Sequence, residues 1–182
     1  MNYAGIIYND FTAGDGVSVS FFFQGCDRHC KGCHNPETWD FEGGKLFTNA
    51  VIKDVVAGLH ANGVSRNLAL MGGEPFHQKN RGVLIGLLYT VRRQSPETPI
   101  YIWTGYTIEE LIEKNIPSIN SILQSIDYLI DGPYIEELRD TTLKWRGSSN
   151  QRIFDKNQIK CYYNKKNKIS RGELSNEYVR NE

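Results

Sequence analysis

Apolar and polar positions alternate between two periods along the first 135 residues of the chain. GIIY (5–8) and VSVSFFFQ (17–24) are β-rich runs joined by the turn AGDG, which predicts two strands. TNAVIKDVVAGLHANG then places Val51, Ile52, Val55, Val56 and Leu59 on one helical face, with Thr48 as N-cap and Asn62-Gly63 as stop. NLALMGGEP contains a short apolar strand (67–71) ending in Gly-Gly, and RGVLIGLLYTVRRQ (81–94) has helical spacing, a basic last turn and Pro96 beyond it. IYIWTGY (100–106) predicts a strand, and Thr107 with Glu110 forms a capping box that opens the helix TIEELIEK. SINSILQSI predicts a short helix and YLIDGPY (128–134) a further strand. The end of the chain is polar and lacks periodicity over most of its length. Residues 1–160 are therefore expected to form one domain and 161–182 a flexible tail.

This alternation of strands and helices implies parallel crossovers in an α/β fold. The strands at 67–71, 100–103 and 128–131 each end in small or polar groups: Gly72-Gly73-Glu74, Thr104-Gly105 and Asp131-Gly132. Ligands of parallel α/β folds sit at the carboxyl ends of strands, so the unusual residues gather at one edge of the sheet. A complete eight-stranded barrel takes about 200 residues or more. A chain of 182 residues predicts instead a partial, open (β/α) barrel with parallel strands.

Composition narrows the class. Lys+Arg and Asp+Glu both number 21, a balance that argues against a nucleic-acid binder of strongly basic type. No apolar run has the length of a membrane span and no charged-then-apolar leader opens the chain, so a cytoplasmic protein without membrane partners is expected. Three of the four cysteines, Cys26, Cys30 and Cys33, crowd into CDRHCKGC, and Cys161 stands alone. Three thiols in one loop cannot all pair with each other, and the polar neighbours Asp27, Arg28, His29 and Lys31 argue against burial as apolar groups. They read as a metal site. A structural zinc needs four tetrahedral ligands, and the fourth could only be His29, His34 next to Cys33, or the distant Cys161. A cubane iron–sulfur cluster held by three cysteines leaves one iron open for a substrate or cofactor, and fits the spacing better.

The motifs carry a resemblance. GCDRHCKGCHNPETWDF, MGGEPFHQKN, IWTGYTIEEL, IDYLIDGPY and LKWRGSSNQRI occur in family order between about residues 3 and 153. They resemble the glycyl-radical-enzyme activases of the radical S-adenosylmethionine (SAM) superfamily, in particular those serving anaerobic ribonucleotide reductases. Gly32 stands where many members of the superfamily carry an aromatic residue. The resemblance implies that Cys26, Cys30 and Cys33 hold a 4Fe-4S cluster and that SAM completes it. Gly72, Gly73 and Glu74 would approach the methionine amino group, and Gly32 and His34 the adenine end. Thr104 would bind the ribose or carboxylate, or be a satisfied turn threonine; Asp131 is equally ambiguous. The implied partners are the large subunit of anaerobic ribonucleotide reductase, at a glycine near its C-terminus, and a small electron-donor protein. Trp145-Arg146 could form a docking surface or cap the open barrel. The competing readings are an activase of formate-lyase type, a radical SAM enzyme acting on a small molecule such as a modified purine, and a zinc-stabilised binding module.

Overall fold

The computed structural model describes residues 1–170, with side chains through Lys165. Seven strands form one sheet: β1 (Asn2–Asp10), β2 (Ser18–Phe23), β3 (Lys45–Leu46), β4 (Asn67–Gly72), β5 (Ile100–Trp103), β6 (Tyr128–Asp131) and β7 (Arg152–Asp155). Their spatial order is β3-β1-β2-β4-β5-β6-β7. The middle of the sheet, β2-β4-β5-β6, is parallel. Its margins are antiparallel, β1 pairing with β2 and β3, and β7 with β6.

The expectation of parallel strands throughout is therefore corrected at both margins. Only residues 11–17 link β1 to β2, and a parallel return needs a dozen residues or more. Strands β3 and β7 escape the sequence pattern because the first is two residues long and the second sits in the polar RIFD.

The helices are α1 (Asn49–Leu59), α2 (Gln78–Gln94), α3 (Ile108–Glu113), α4 (Pro117–Ser125) and α5 (Lys156–Ser170). Thr48 stands in extended backbone at the head of α1, but its hydroxyl makes no capping bond. The Thr107–Glu110 capping box does form: Glu110 N donates to Thr107 Oγ1 at 3.2 Å and Thr107 N to Glu110 Oε2 at 2.8 Å. The domain boundary expected at 160 falls within α5, whose Ile159 is buried and whose Tyr162 packs edge-on against Phe154. The remainder of the expected tail, 171–182, lies outside the described residues.

Strand alternation sorts the two faces of the sheet. Val19, Phe21, Phe23, Leu68, Leu70, Ile100, Ile102 and Leu129 join the apolar residues of the helices in one core. The opposite face carries Ser18, Ser20, Asn67 and Tyr101, and the β1–β2 loop folds across it. Ser20 donates to Asp10 at 2.6 Å, Ser18 to the Ala13 carbonyl, Asn67 to the Asp15 carbonyl, and Asp15 N to the Tyr101 hydroxyl at 3.4 Å. That polar strap explains how serines and an asparagine are buried without cost in unmade hydrogen bonds.

Candidate functional site

The cysteine loop leaves the C-terminal end of β2 and is held from behind. Gly25 has φ +93°, and a Cβ there would stand 2.0 Å from the Phe41 ring, so the chain turns here only with glycine. Gly25 N donates to the Thr38 carbonyl at 2.7 Å and Cys26 N to the Trp39 carbonyl at 3.1 Å. The buried Gln24 amide reaches the carbonyls of Glu37 and Asp40 at 2.9 and 2.7 Å. Further along, His29 takes a left-handed conformation and stacks on Trp39 with centroids 4.7 Å apart.

Cys26, Cys30 and Cys33 are unpaired thiols at intermediate burial, whereas Cys161 is exposed on α5. Burial pushes the Cys26 thiol up to about 11, against the backbone N–H groups of Arg28 and His29 that face its sulfur. Asn35 N donates to Cys33 Sγ at 3.4 Å. N–H groups directed at sulfur favour iron-bound thiolates, whose charge they offset, so the donor set fits an iron–sulfur cluster. Among the described residues no three His, Cys, Asp or Glu side chains converge so as to share one metal ion. A tetrahedral zinc would draw its thiolates to roughly 4 Å of one another. A cubane binds each cysteine at a separate corner iron and tolerates a wider spread.

The Gly-Gly-Glu turn ties β4 to this loop. Gly73 N donates to the Phe23 carbonyl at 2.8 Å and Glu74 N to the Gly25 carbonyl at 2.9 Å. A Cβ on Gly73 would lie 2.5 Å from that same Gly25 oxygen, and Gly72 has φ +100°. The Glu74 side chain turns inward, 1 % exposed. Its carboxyl accepts from Phe76 N at 2.9 Å, Thr104 Oγ1 at 2.7 Å and Gly105 N at 2.8 Å. Burial outweighs these bonds and the nearby Arg28, and pushes Glu74 up to about 7. The Thr104 hydroxyl also accepts from Tyr106 N at 3.1 Å. Asn80, fully buried, donates to the carbonyls of Gly25 and Glu74 at 3.2 and 2.9 Å. Glu74 is thus a hub joining the ends of β2, β4 and β5.

Above this hub a cleft of about 770 Å³ opens, lined by Gly32, Cys33 and His34 from the cysteine loop and by Met71 and Trp103 from β4 and β5. Cys26, Cys30, Gly72, Gly73, Glu74 and Thr104 are not among its lining residues; Gly73 and Glu74 meet the loop at Gly25. The far wall is the segment 132–151, which supplies Tyr134, Glu136, Arg139, Trp145 and Arg146. This segment braces itself. Ile135 N donates to Ser148 Oγ at 3.2 Å, Asn150 Nδ2 to the Pro133 carbonyl at 2.8 Å, and Gln151 Nε2 to the Gly132 carbonyl at 3.1 Å. It also grips the cysteine loop. Lys31 pairs with Glu137 at 2.6 Å, and a Cβ on Gly32 would meet Glu136 Oε2 at 2.0 Å. Asp131, whose role the sequence leaves ambiguous, is sealed below and bonded to Arg152 at 3.0 and 2.6 Å. Sequence reasoning passed over Trp103, Tyr134, Glu136 and Arg139. Trp103 adjoins the candidate Thr104, but nothing in YIEELR distinguishes it from a solvated helix turn.

The chain matches the family described as 4Fe-4S single cluster domain over residues 12–154. Curated relatives named anaerobic ribonucleoside-triphosphate reductase-activating protein align over most of its length. The one from Haemophilus influenzae is 37% identical over 84% of this chain and 97% of its own. That of Enterobacteria phage T4 is 36% identical over 85% and 94%, and that of Escherichia coli K12 34% identical over 83% and 96%. A cysteine loop suited to iron and sulfur, set in a match of this extent, decides the family: the chain belongs to the anaerobic ribonucleoside-triphosphate reductase-activating proteins, built on a 4Fe-4S single cluster domain.

Proposed function

We propose that this protein activates anaerobic ribonucleoside-triphosphate reductase by installing a glycyl radical on its large subunit. The observation that carries the reading is a loop of three unpaired, half-buried cysteines, one of which, Cys33, lines a cleft large enough for a cofactor and a peptide segment. A 4Fe-4S cluster with SAM bound supplies the chemistry, reductive cleavage to methionine and a 5′-deoxyadenosyl radical that takes a hydrogen atom from glycine. The chain's own residues bind, orient and exclude water.

In this reading Cys26, Cys30 and Cys33 are the cluster ligands. Gly32 and His34, at the cleft, adjoin the adenine end of SAM, and Gly72 and Gly73 offer backbone to its methionine end. Glu74 and Thr104, bonded to each other, contribute by fixing the strand ends against the loop. The reading takes the four parallel strands with their crossover helices as a partial, open barrel of radical SAM type, whose open side would admit a loop of a large protein. A small redox protein supplies the electron, and the reaction belongs in the cytoplasm. Among the described residues no helix is long and apolar enough to cross a membrane.

Anaerobically reconstituted protein is expected to be brown with about four irons per chain. Given SAM, a reductant and the reductase, it should yield a glycyl doublet in electron paramagnetic resonance. A colourless protein holding one zinc, or a loaded protein that gives no doublet, rejects the assignment. Parallel trials on a formate-lyase-type partner separate the nearest alternative.

A further inference from the structure

The Trp145-Arg146 turn is built with more constraint than a cap requires. Trp145 takes φ +58°, a conformation unusual for a bulky side chain. The fold holds it there from three sides. Trp103 Nε1 donates to the Trp145 carbonyl at 2.7 Å, and the indole packs edge-on against Tyr101 at 5.0 Å and Tyr128 at 5.8 Å. Lys144 lies 4.0 Å over the indole and pairs with Asp15 at 2.9 Å. The strained turn delivers the next residues, Arg146 and Gly147, to the cleft wall, near Arg139.

The two arginines on that wall contrast with the ion-paired Arg92 and Arg152. Arg92 and Arg152 each have a carboxylate at 2.6 Å. Among the described residues, neither Arg139 nor Arg146 has one within 4.0 Å. Arg146 is steadied by carbonyls, donating to Gln151 O at 3.2 Å and Lys144 O at 3.4 Å, and its charge helps hold the Asp140 carboxyl below its usual range after the Thr142 hydrogen bonds. Next to cleft residues Thr12 and Arg139, Phe11 is 74% exposed and Leu138 42%. The cleft lined by Cys33 and His34 is thus also lined by two arginines without carboxylate partners among the described residues, each next to other exposed or cleft-lining residues of the same wall.

We propose that Arg139 and Arg146, presented by the Trp145 turn, seat the glycine-bearing segment of the reductase by pairing with a carboxylate next to that glycine. The inference rests on the function proposed above: a segment that reaches the cleft beside Cys33 must lie along this wall. Guanidinium–carboxylate pairs are directional and often bidentate, which suits fixing the register of a flexible segment. The carboxylate can be an acidic side chain or the chain terminus.

The test uses the loaded protein and intact reductase, following the initial rate of glycyl-radical formation against reductase concentration. Arg146→Ala, and more strongly the Arg139→Ala/Arg146→Ala pair, should raise KM for the reductase about tenfold or more with kcat within about twofold. Arg146→Lys should recover part of the loss, and Tyr89→Ala, on the exposed flank of α2, should change neither constant. Synthetic peptides copying the glycine-bearing segment should inhibit competitively. Replacing their acidic side chains by amides, or amidating their C-terminus, identifies the paired carboxylate by which change weakens inhibition of the parent about tenfold and that of the arginine variants little. An unchanged KM in the double variant, with a working parent, overturns this inference alone, as does equal inhibition by every peptide. A loaded parent that forms no glycyl radical brings down the functional reading and this inference with it.

Discussion

Glu74 and Asp131 are both sealed carboxyl groups at the C-terminal ends of parallel strands, β4 and β6, and the fold satisfies them in opposite ways. Asp131, 0% exposed, accepts two bonds from the Arg152 guanidinium and one from Ile108 N at 2.7 Å. Arg152 in turn grips Glu109 at 2.6 Å, and the two carboxylates raise its pKa further. Glu74 has no such counter-ion in contact; its donors are two amides and a hydroxyl. One strand end is therefore stitched by charge and closed. The other, beneath the cysteine loop, is held by neutral hydrogen bonds around a carboxyl whose charge state is close to balance near neutrality. Where β6 meets β7 the fold needs a lock. Where β4 meets the cysteine loop it needs a fixed support that adds no full charge of its own beneath the cysteines.

Removing the lock should have the largest effect. Arg152→Ala strands Asp131 as a buried carboxylate, and about 3 kcal/mol of stability should be lost, read as a lower urea midpoint at unchanged slope. An effect below about 1 kcal/mol would mean that the two strand ends are not held differently.

The pH response should separate them next. Glu74 is pushed up to about 7 in the folded chain from an ordinary 4.5. Between those values the folded state binds more protons than the unfolded state, so stability falls as pH rises through this window and levels off above about 7. The loss is on the order of 3 kcal/mol. In the cluster-free protein, Glu74→Gln should flatten this slope between about pH 4.5 and 7; a slope that persists assigns it to another group.

Gly73→Ala should cost about 2 kcal/mol, because the new Cβ meets the Gly25 backbone oxygen, which cannot swing aside. It should also displace Cys26 and reduce the iron bound on reconstitution. Gly32→Ala meets only the end of the flexible Glu136 side chain, though at φ +71°, and should cost about 1 kcal/mol. Iron content near the parent's in Gly73→Ala would show that β4 does not support the loop.

Thr104→Val should also cost only about 1 kcal/mol, since it removes one donor from Glu74, leaving two, and the acceptor of the part-buried Tyr106 N. With that donor gone, the Glu74 pKa should rise further and extend the pH slope upward. An unaltered slope would remove Thr104 from the hub.

Much of this was legible in order along the chain. The capping box at Thr107 formed, since both partners lie within one turn of helix. The parallel middle of the sheet followed from apolar runs separated by helical segments, and the cysteine loop from three thiols too close together to cross-link. The antiparallel margins were not legible. β3 and β7 exist because a neighbouring strand offers an unpaired edge, not through a pattern of their own. Likewise Glu74 read as a ligand-facing group, and Thr104 as either that or a satisfied turn residue, because sequence shows a polar residue at a strand end without showing which way it turns.

The sequence by itself determined the chemistry available: three cysteines in one loop, glycines where the backbone must approach closely, and motifs in family order. Each depends on residue type and local spacing, which folding cannot change. Only the tertiary structure decided how those groups are supported. The Glu74 hub and the wall from Gly132 to Gln151 join residues tens of positions apart. Such pairings are fixed by packing and by the need to satisfy every buried polar group, and neither is written at any one position of the chain.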